Sequence, residues 1–154
     1  MRLLSMQLVH LFVAAVAILG MAVPAVSNDL YVRNSGLDSA HCGGAQSACR
    51  TINQAIVNAA AGDSIWVGPG RYGDLNGDGD LEDPGEEHLK HIGFDLCMIC
   101  IRKPIHLYSL FGPDVTVITG PSYQNPIGIV FVDILSNGVT VDFVRRAGWV
   151  GTRG

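Results

Sequence analysis

The chain of 154 residues carries 10 lysines and arginines against 14 aspartates and glutamates, and 48% of it is apolar. That length supports one domain and little more. An excess of acid with no basic stripe leaves nothing to track a phosphate backbone, which argues against nucleic acid as a partner.

The apolar share is concentrated at the start. Arg2 supplies a positive first segment, Leu11 to Val23 is an apolar run, and Ala25-Val26-Ser27 puts small residues at the −3 and −1 positions before Asn28. The alternative is an uncleaved anchor, but a spanning helix needs about 20 apolar residues and His10 and Pro24 interrupt this run. Residues 1–27 therefore read as a signal peptide. The expected location is secreted, cell-surface or periplasmic, with no membrane attachment after cleavage. All four cysteines lie in the exported part, where disulfides are the default state.

Residues 28–63 read as a leading strand at Leu30 to Arg33, a turn-rich loop and a helix. Ile52, Ala55, Ile56 and Ala59 form one apolar stripe at i, i+3, i+4 and i+7. Thr51 is positioned to cap the start of that helix, and Gly62 stands where a left-handed residue would end it. Ser64 to Val67 turns to strand chemistry, and Gly68-Pro69-Gly70 stops it.

The string TIxxAIxxAAxGDxIxVGPGxY, running from Thr51 to Tyr72, resembles the N-terminal cap and first coil of secreted right-handed parallel β-helix proteins, the pectate-lyase-like superfamily. The resemblance implies an all-β fold: a right-handed parallel β-helix (solenoid) fragment of about three coils with a short N-terminal capping α-helix. Such solenoids host lyases, hydrolases, adhesins and inert surface proteins, so the likeness speaks to fold more than to chemistry. Cys42 and Cys49 bracket a Gly-rich loop before the helix and are expected to pair as a staple, which the resemblance also favours. Cys97 and Cys100 are three apart in an apparent strand, where such residues point to opposite faces, and their pairing stays open.

Residues 64–144 are expected to form the coils. Strand-like runs recur at 96–101, 105–110, 115–120, 128–134 and 139–144. Setting Ile105 on Ile129 places Leu107 on Phe131, Leu110 on Ile134, Val115 on Val139 and Val117 on Val141. This self-match at a spacing of about 24 is what one coil of stacked strands requires. Asn137-Gly138 is the opposing signal, since that dipeptide favours a hairpin. The tail, residues 145–154, breaks the pattern and reads as irregular, as expected of a truncated or frame-shifted product or, equally, of a divergent end. An open last coil would then invite self-association.

Residues 73–87 interrupt the coils with an acidic insertion, GDLNGDGDLEDPGEE, read as a surface loop. Asp74, Asp78, Asp80, Glu82, Asp83, Glu86 and Glu87 lie here with no base among them. The order D-x-N-x-D-G fits the first half of a calcium loop. Asp74, Asn76 and Asp78 would be oxygen ligands, Gly79 the bend, Asp80 a carbonyl donor and Leu81 the apolar anchor. Gly85 stands where a bidentate glutamate is wanted, so Glu86 or Glu87 would have to reach round, with Glu82, to complete a weak site. The competing reading is a solvated acidic loop that binds nothing.

His88, His91, Cys97 and Cys100 have a zinc-like order, but exported thiols are more often oxidised. Asp133, Asp142, Arg145 and Arg146 are residue types that pectate lyases use. They fit strand edges and turns more simply, and none is assigned a catalytic role. Two functions remain from this sequence. One is a non-catalytic surface or carbohydrate-contacting module steadied by calcium. The other is the leading fragment of a polysaccharide lyase or glycoside hydrolase that lacks its active coils.

Overall fold

The computed structural model describes residues 26–92, 95–121, 129–134, 136–142 and 145–147. The expected signal peptide lies outside the described residues except for Val26 and Ser27. No helix among the described residues is long and apolar enough to cross a membrane.

Among the described residues, ten short strands and one helix make the chain β-rich. In order they are β1 (Asp29–Val32), α1 (Ile52–Asn58), β2 (Ser64–Val67), β3 (Gly70–Gly73), β4 (Lys90–Ile92) and β5 (Asp95–Ile101). Then come β6 (His106–Ser109), β7 (Thr116–Thr119), β8 (Ile129–Ile134), β9 (Thr140–Asp142) and β10 (Arg145–Ala147). Three sheets collect them, in the orders β1-β2-β6-β9, β10-β7-β3 and β4-β5-β8. From β2 onward the chain visits the three sheets in one fixed rotation. All the strand pairs are parallel except β4 with β5, a short antiparallel pair that departs from the expectation of a stack free of hairpins.

The apolar stripe of α1 is buried as its periodicity dictates, with Ile52, Ala55, Ile56 and Ala59 packed among Val32, Ile65, Ile99 and Leu107 in one core. Thr51 caps the helix, its hydroxyl accepting from the Gln54 N–H at 3.1 Å. Gly62 does not end it. The helix stops at Asn58, Ala59 is extended, and the positive φ of Gly62 serves the following turn, where its N–H donates to the Pro104 carbonyl at 2.6 Å.

The strands β1, β2 and β5 to β9 fall where the apolar runs predict; β3, which starts at the glycine bend, and β4 do not, and neither does the register. Leu107 lies beside Val141 rather than Phe131, Ile134 beside Ile101 rather than Leu110, and Val117 beside Arg145 rather than Val141. The 24-residue match joined β6 to β8 and β7 to β9, which belong to different sheets. Leu107, Val117, Val132 and Val141 are similar apolar residues on strands of three sheets, so matching them across sheets keeps apolar on apolar and leaves no mark in the sequence. The Ile65-to-Ile99 spacing fails likewise, since Ile65 pairs with Leu107. Residues 145–147, expected to be irregular, form β10 on β7. Asn137-Gly138 turns a corner between β8 and β9, strands of separate sheets, and makes no hairpin.

Both cysteine pairs are bridged. Cys42 and Cys49 have Cα atoms 4.9 Å apart. Cys97 and Cys100 have theirs 5.9 Å apart, against about 10 Å for three steps of extended strand. The strand is bent between them, and the bend brings together side chains that a straight strand would send to opposite faces.

Candidate functional site

The acidic insertion is not a free surface loop. Asp74, Leu81, Glu86 and Glu87 are buried, while Asp78, Glu82 and Asp83 are exposed. Alternation of buried and exposed acids follows from what each carboxylate finds to accept from. Asp74 takes the N–H of Gly77 at 2.6 Å and of Gly79 at 3.1 Å, closing the first turn. Both glycines have positive φ, which lets the chain wrap this tightly around one side chain.

Glu86 closes the loop from the other end, accepting from Leu75 N–H at 2.8 Å and Asp83 N–H at 3.2 Å. At the exposed tip, Asp78 accepts from the Asp80 N–H at 3.0 Å and from the Asn76 amide at 2.8 Å. Those two bonds, the backbone one foremost, hold its carboxyl below the ordinary range. Asn76 also donates to Asp83 at 2.6 Å, and Asp80 accepts from Glu82 N–H at 2.9 Å. Gly85, at the position wanted for a bidentate glutamate, has φ +94° and lies against the Arg50 guanidinium, which a Cβ there would overlap. Its positive φ would by itself strain any side chain placed there.

Glu87, 1% exposed, turns the other way and caps α1. Its carboxylate accepts from the Ile52 N–H and, at 3.0 Å, from the Asn53 N–H, two of the donors that a helix start leaves unpaired. Asp38 accepts from the preceding pair, Arg50 at 2.7 Å and Thr51 at 3.0 Å. Desolvation raises the Glu87 carboxyl to about 7, opposed by the bonds from Asn53 and Ile52 and reinforced by Asp38. The neighbouring Tyr72 phenol is pushed up to about 12, mainly by its own burial and then by Glu87.

The sequence offered no sign of the Glu87 and Asp38 caps, because a helix cap from 35 residues away leaves no local pattern. Asp63 was also missed, although it sits inside the quoted Gly-Asp motif. It is buried and accepts from Asn28 N–H at 2.8 Å and Ala60 N–H at 2.7 Å, joining the start of β1 to the helix exit.

Among the described residues, one set of three His, Cys, Asp or Glu ligand atoms lies within 4.8 Å: Asp38, Cys42 and Cys49. Its two sulfurs are bonded to each other and cannot take a metal. The zinc order of His88, His91, Cys97 and Cys100 fails for the same reason. Asp133, Asp142, Arg145 and Arg146 fall on β8, β9 and β10, in three different sheets.

Two surfaces complete the description. On the outward face of the β1-β2-β6-β9 sheet, Tyr31, Trp66, Tyr108 and Asp142 stand in register, all half-buried. The Trp66 and Tyr108 rings stack at 4.8 Å, and Trp66 Nε1 donates to Asp29 at 2.9 Å. Beside the helix, a cleft of about 600 Å³ is lined by Lys90, His91, Arg102 and Lys103 with Ile56, Val57 and Cys100. Lys103 is engaged there with the Ala59 carbonyl at 2.6 Å.

Comparison with models of protein families, with curated proteins and with solved structures finds no match for this chain in any of the three.

Proposed function

We propose that this chain is a secreted, right-handed parallel β-helix segment that acts without catalysis, as a surface module contacting polysaccharide. The observation that carries the reading is the fixed rotation of the chain through three sheets, with parallel pairing from one round to the next. A solenoid coil is built in that way, and its outer faces supply long flat surfaces. The bridged cysteines are compatible with an oxidising compartment.

The face bearing Tyr31, Trp66 and Tyr108 is the part of that surface suited to sugar. Ring edges and hydroxyls present apolar and hydrogen-bonding groups side by side on a rigid sheet. Retention on insoluble polysaccharide tests it: wild type should be held, and Trp66→Ala with Tyr108→Ala should release it. Equal retention of that double variant would remove the sugar-contacting face. No rise in unsaturated-uronate absorbance is expected on polygalacturonate, and a rise would revive the lyase reading.

Calcium belongs to the same proposal. Asp74, Asn76, Asp78, Asp80, Glu82 and Glu86 offer hard oxygen donors on a loop already wound by glycines; no three of their carboxylates lie within 4.8 Å of one another, so the ion would have to draw them together. Its role would be to neutralise acids that otherwise repel and to fix the loop against the helix. Millimolar calcium should give calorimetric heat and raise the melting temperature; neither response would leave the loop a purely hydrogen-bonded one.

A further inference from the structure

Asp63 is 3% exposed, and among the described residues its carboxylate is met by backbone and amide N–H groups rather than by a cation. Its Oδ2 accepts from Ala60 N–H at 2.7 Å, and its Oδ1 accepts from the Asn28 backbone N–H at 2.8 Å and the Asn28 amide at 3.4 Å. A carboxylate at that burial, met by neutral donors alone, is expensive to desolvate. Ser27 and Asn28 are exposed, and Ser27 Oγ donates to the Gly62 carbonyl at 2.8 Å, so the Ser27–Asn28 bond runs directly over this acid.

We propose that the Ser27–Asn28 bond is a processing site, and that cleavage there creates an α-ammonium at Asn28 that pairs with Asp63 and locks β1 to the helix exit. Water adds across the peptide bond, the C–N bond breaks, and Ser27 leaves as a carboxylate with the residues before it. The freed Asn28 nitrogen takes up a proton and holds the position from which its N–H already donated. A neutral hydrogen bond becomes a charge-assisted one at a buried acid. Ser27 Oγ, an exposed contact, is the one bond lost. The step rests on the export reading, because the small residues Ala25 and Ser27 at −3 and −1 suit an export peptidase. An unpaired carboxylate would otherwise remain at the joint between strand and helix.

The test uses the full chain exported from a bacterial host. Mass spectrometry of the recovered protein should read Asn28 as the first residue. Selective acetylation of its α-amine should then raise the unfolding equilibrium constant about tenfold in denaturant titrations, the scale of a hydrogen bond to a charged group. In Asp63→Asn the same acetylation should change it less than twofold. If that variant does not fold, an alanine inserted after Ser27 and retained on cleavage supplies the check, and should match the acetylated protein. NMR titration of the wild-type α-amine should place it above its ordinary range of about 7.7 to 8.0. A first residue other than Asn28 would overturn the processing site. Asn28 first, with acetylation neutral or equally costly in Asp63→Asn, would overturn the pairing and leave export standing.

Discussion

The two ends of the strand stack are treated differently. Around α1, the outer edge of β1 is covered by residues 43–49: Tyr31 N–H donates to the Gly43 carbonyl, Arg33 N–H donates to the Cys49 carbonyl, and Cys49 N–H donates to the Tyr31 carbonyl. The Cys42–Cys49 bridge holds that cover in place. On β5 the Met98 carbonyl accepts from the Asn53 side chain at 2.6 Å. At the far end, β8 and β9 are edge strands whose Ile134 and Val141 are 47% and 38% exposed. Sealing a sheet edge takes dedicated chemistry, and among the described residues that chemistry stands at the end around α1.

The sharpest way to break that contrast is to remove core volume at each end. Ile65→Ala, in the core beneath the helix, should cost about 2–5 kcal/mol. Val141→Ala should cost under about 1 kcal/mol, because much of its side chain already meets water. Urea denaturation of both variants checks it, and equal costs would mean that the two ends are equally closed.

A second prediction concerns Glu87, studied without calcium. Its carboxyl is raised from 4.5 to about 7 in the folded protein, so the folded state keeps a proton that the unfolded chain releases. The resulting stabilisation is full below about pH 4.5 and is lost as the pH rises through about 7. A shift of this size amounts to a few kcal/mol. Denaturation midpoints should therefore fall between pH 5 and pH 8. Glu87→Gln should flatten that slope while lowering stability at pH 5, since an amide accepts only one of the two N–H bonds. An unchanged slope would locate the titration elsewhere.

Reducing the Cys42–Cys49 bridge, compared as Cys42→Ser/Cys49→Ser, should cost about 2–3 kcal/mol by the entropy of its short loop. Proteolysis should then cut first within residues 43–49, because the cover of β1 is what the bridge tethers. Cuts appearing first near β9 would show that the far end opens before the sealed one.

The sealed end was also the more legible. The stripe at Ile52, Ala55, Ile56 and Ala59 has a period that only a helix satisfies, and Thr51 is a local cap, so both could be read directly. Strand positions followed from β-branched runs. Register did not, since β6, β7, β8 and β9 are similar short apolar runs in the sequence and three sheets offer three ways to stack them. The acidic insertion was legible as a loop and illegible as a cap. Whether Glu86, Glu87 or Asp83 goes inward depends on which backbone N–H groups are waiting, and those belong to Leu75, Ile52 and Asn53. The short β4 and β10 carry Lys90, His91, Arg145 and Arg146, which no alternation would mark as strand.

The smallest expected effect bears on how the seal is shared. The start of α1 has three acceptors: Thr51 for Gln54, Glu87 for Ile52 and Asn53, and Asp38 for Arg50 and Thr51. Thr51→Ala removes one bond and should cost about 1 kcal/mol, the usual loss for a cap. If the three acceptors hold one rigid turn, the loss should grow in the Glu87→Gln background, because a frayed first turn no longer keeps Gln54 aligned. Coupling of about 0.5 kcal/mol or more in the double-mutant cycle is then expected. Additive losses would mean that each acceptor holds its own N–H independently, and that the acidic insertion merely rests on the helix it caps.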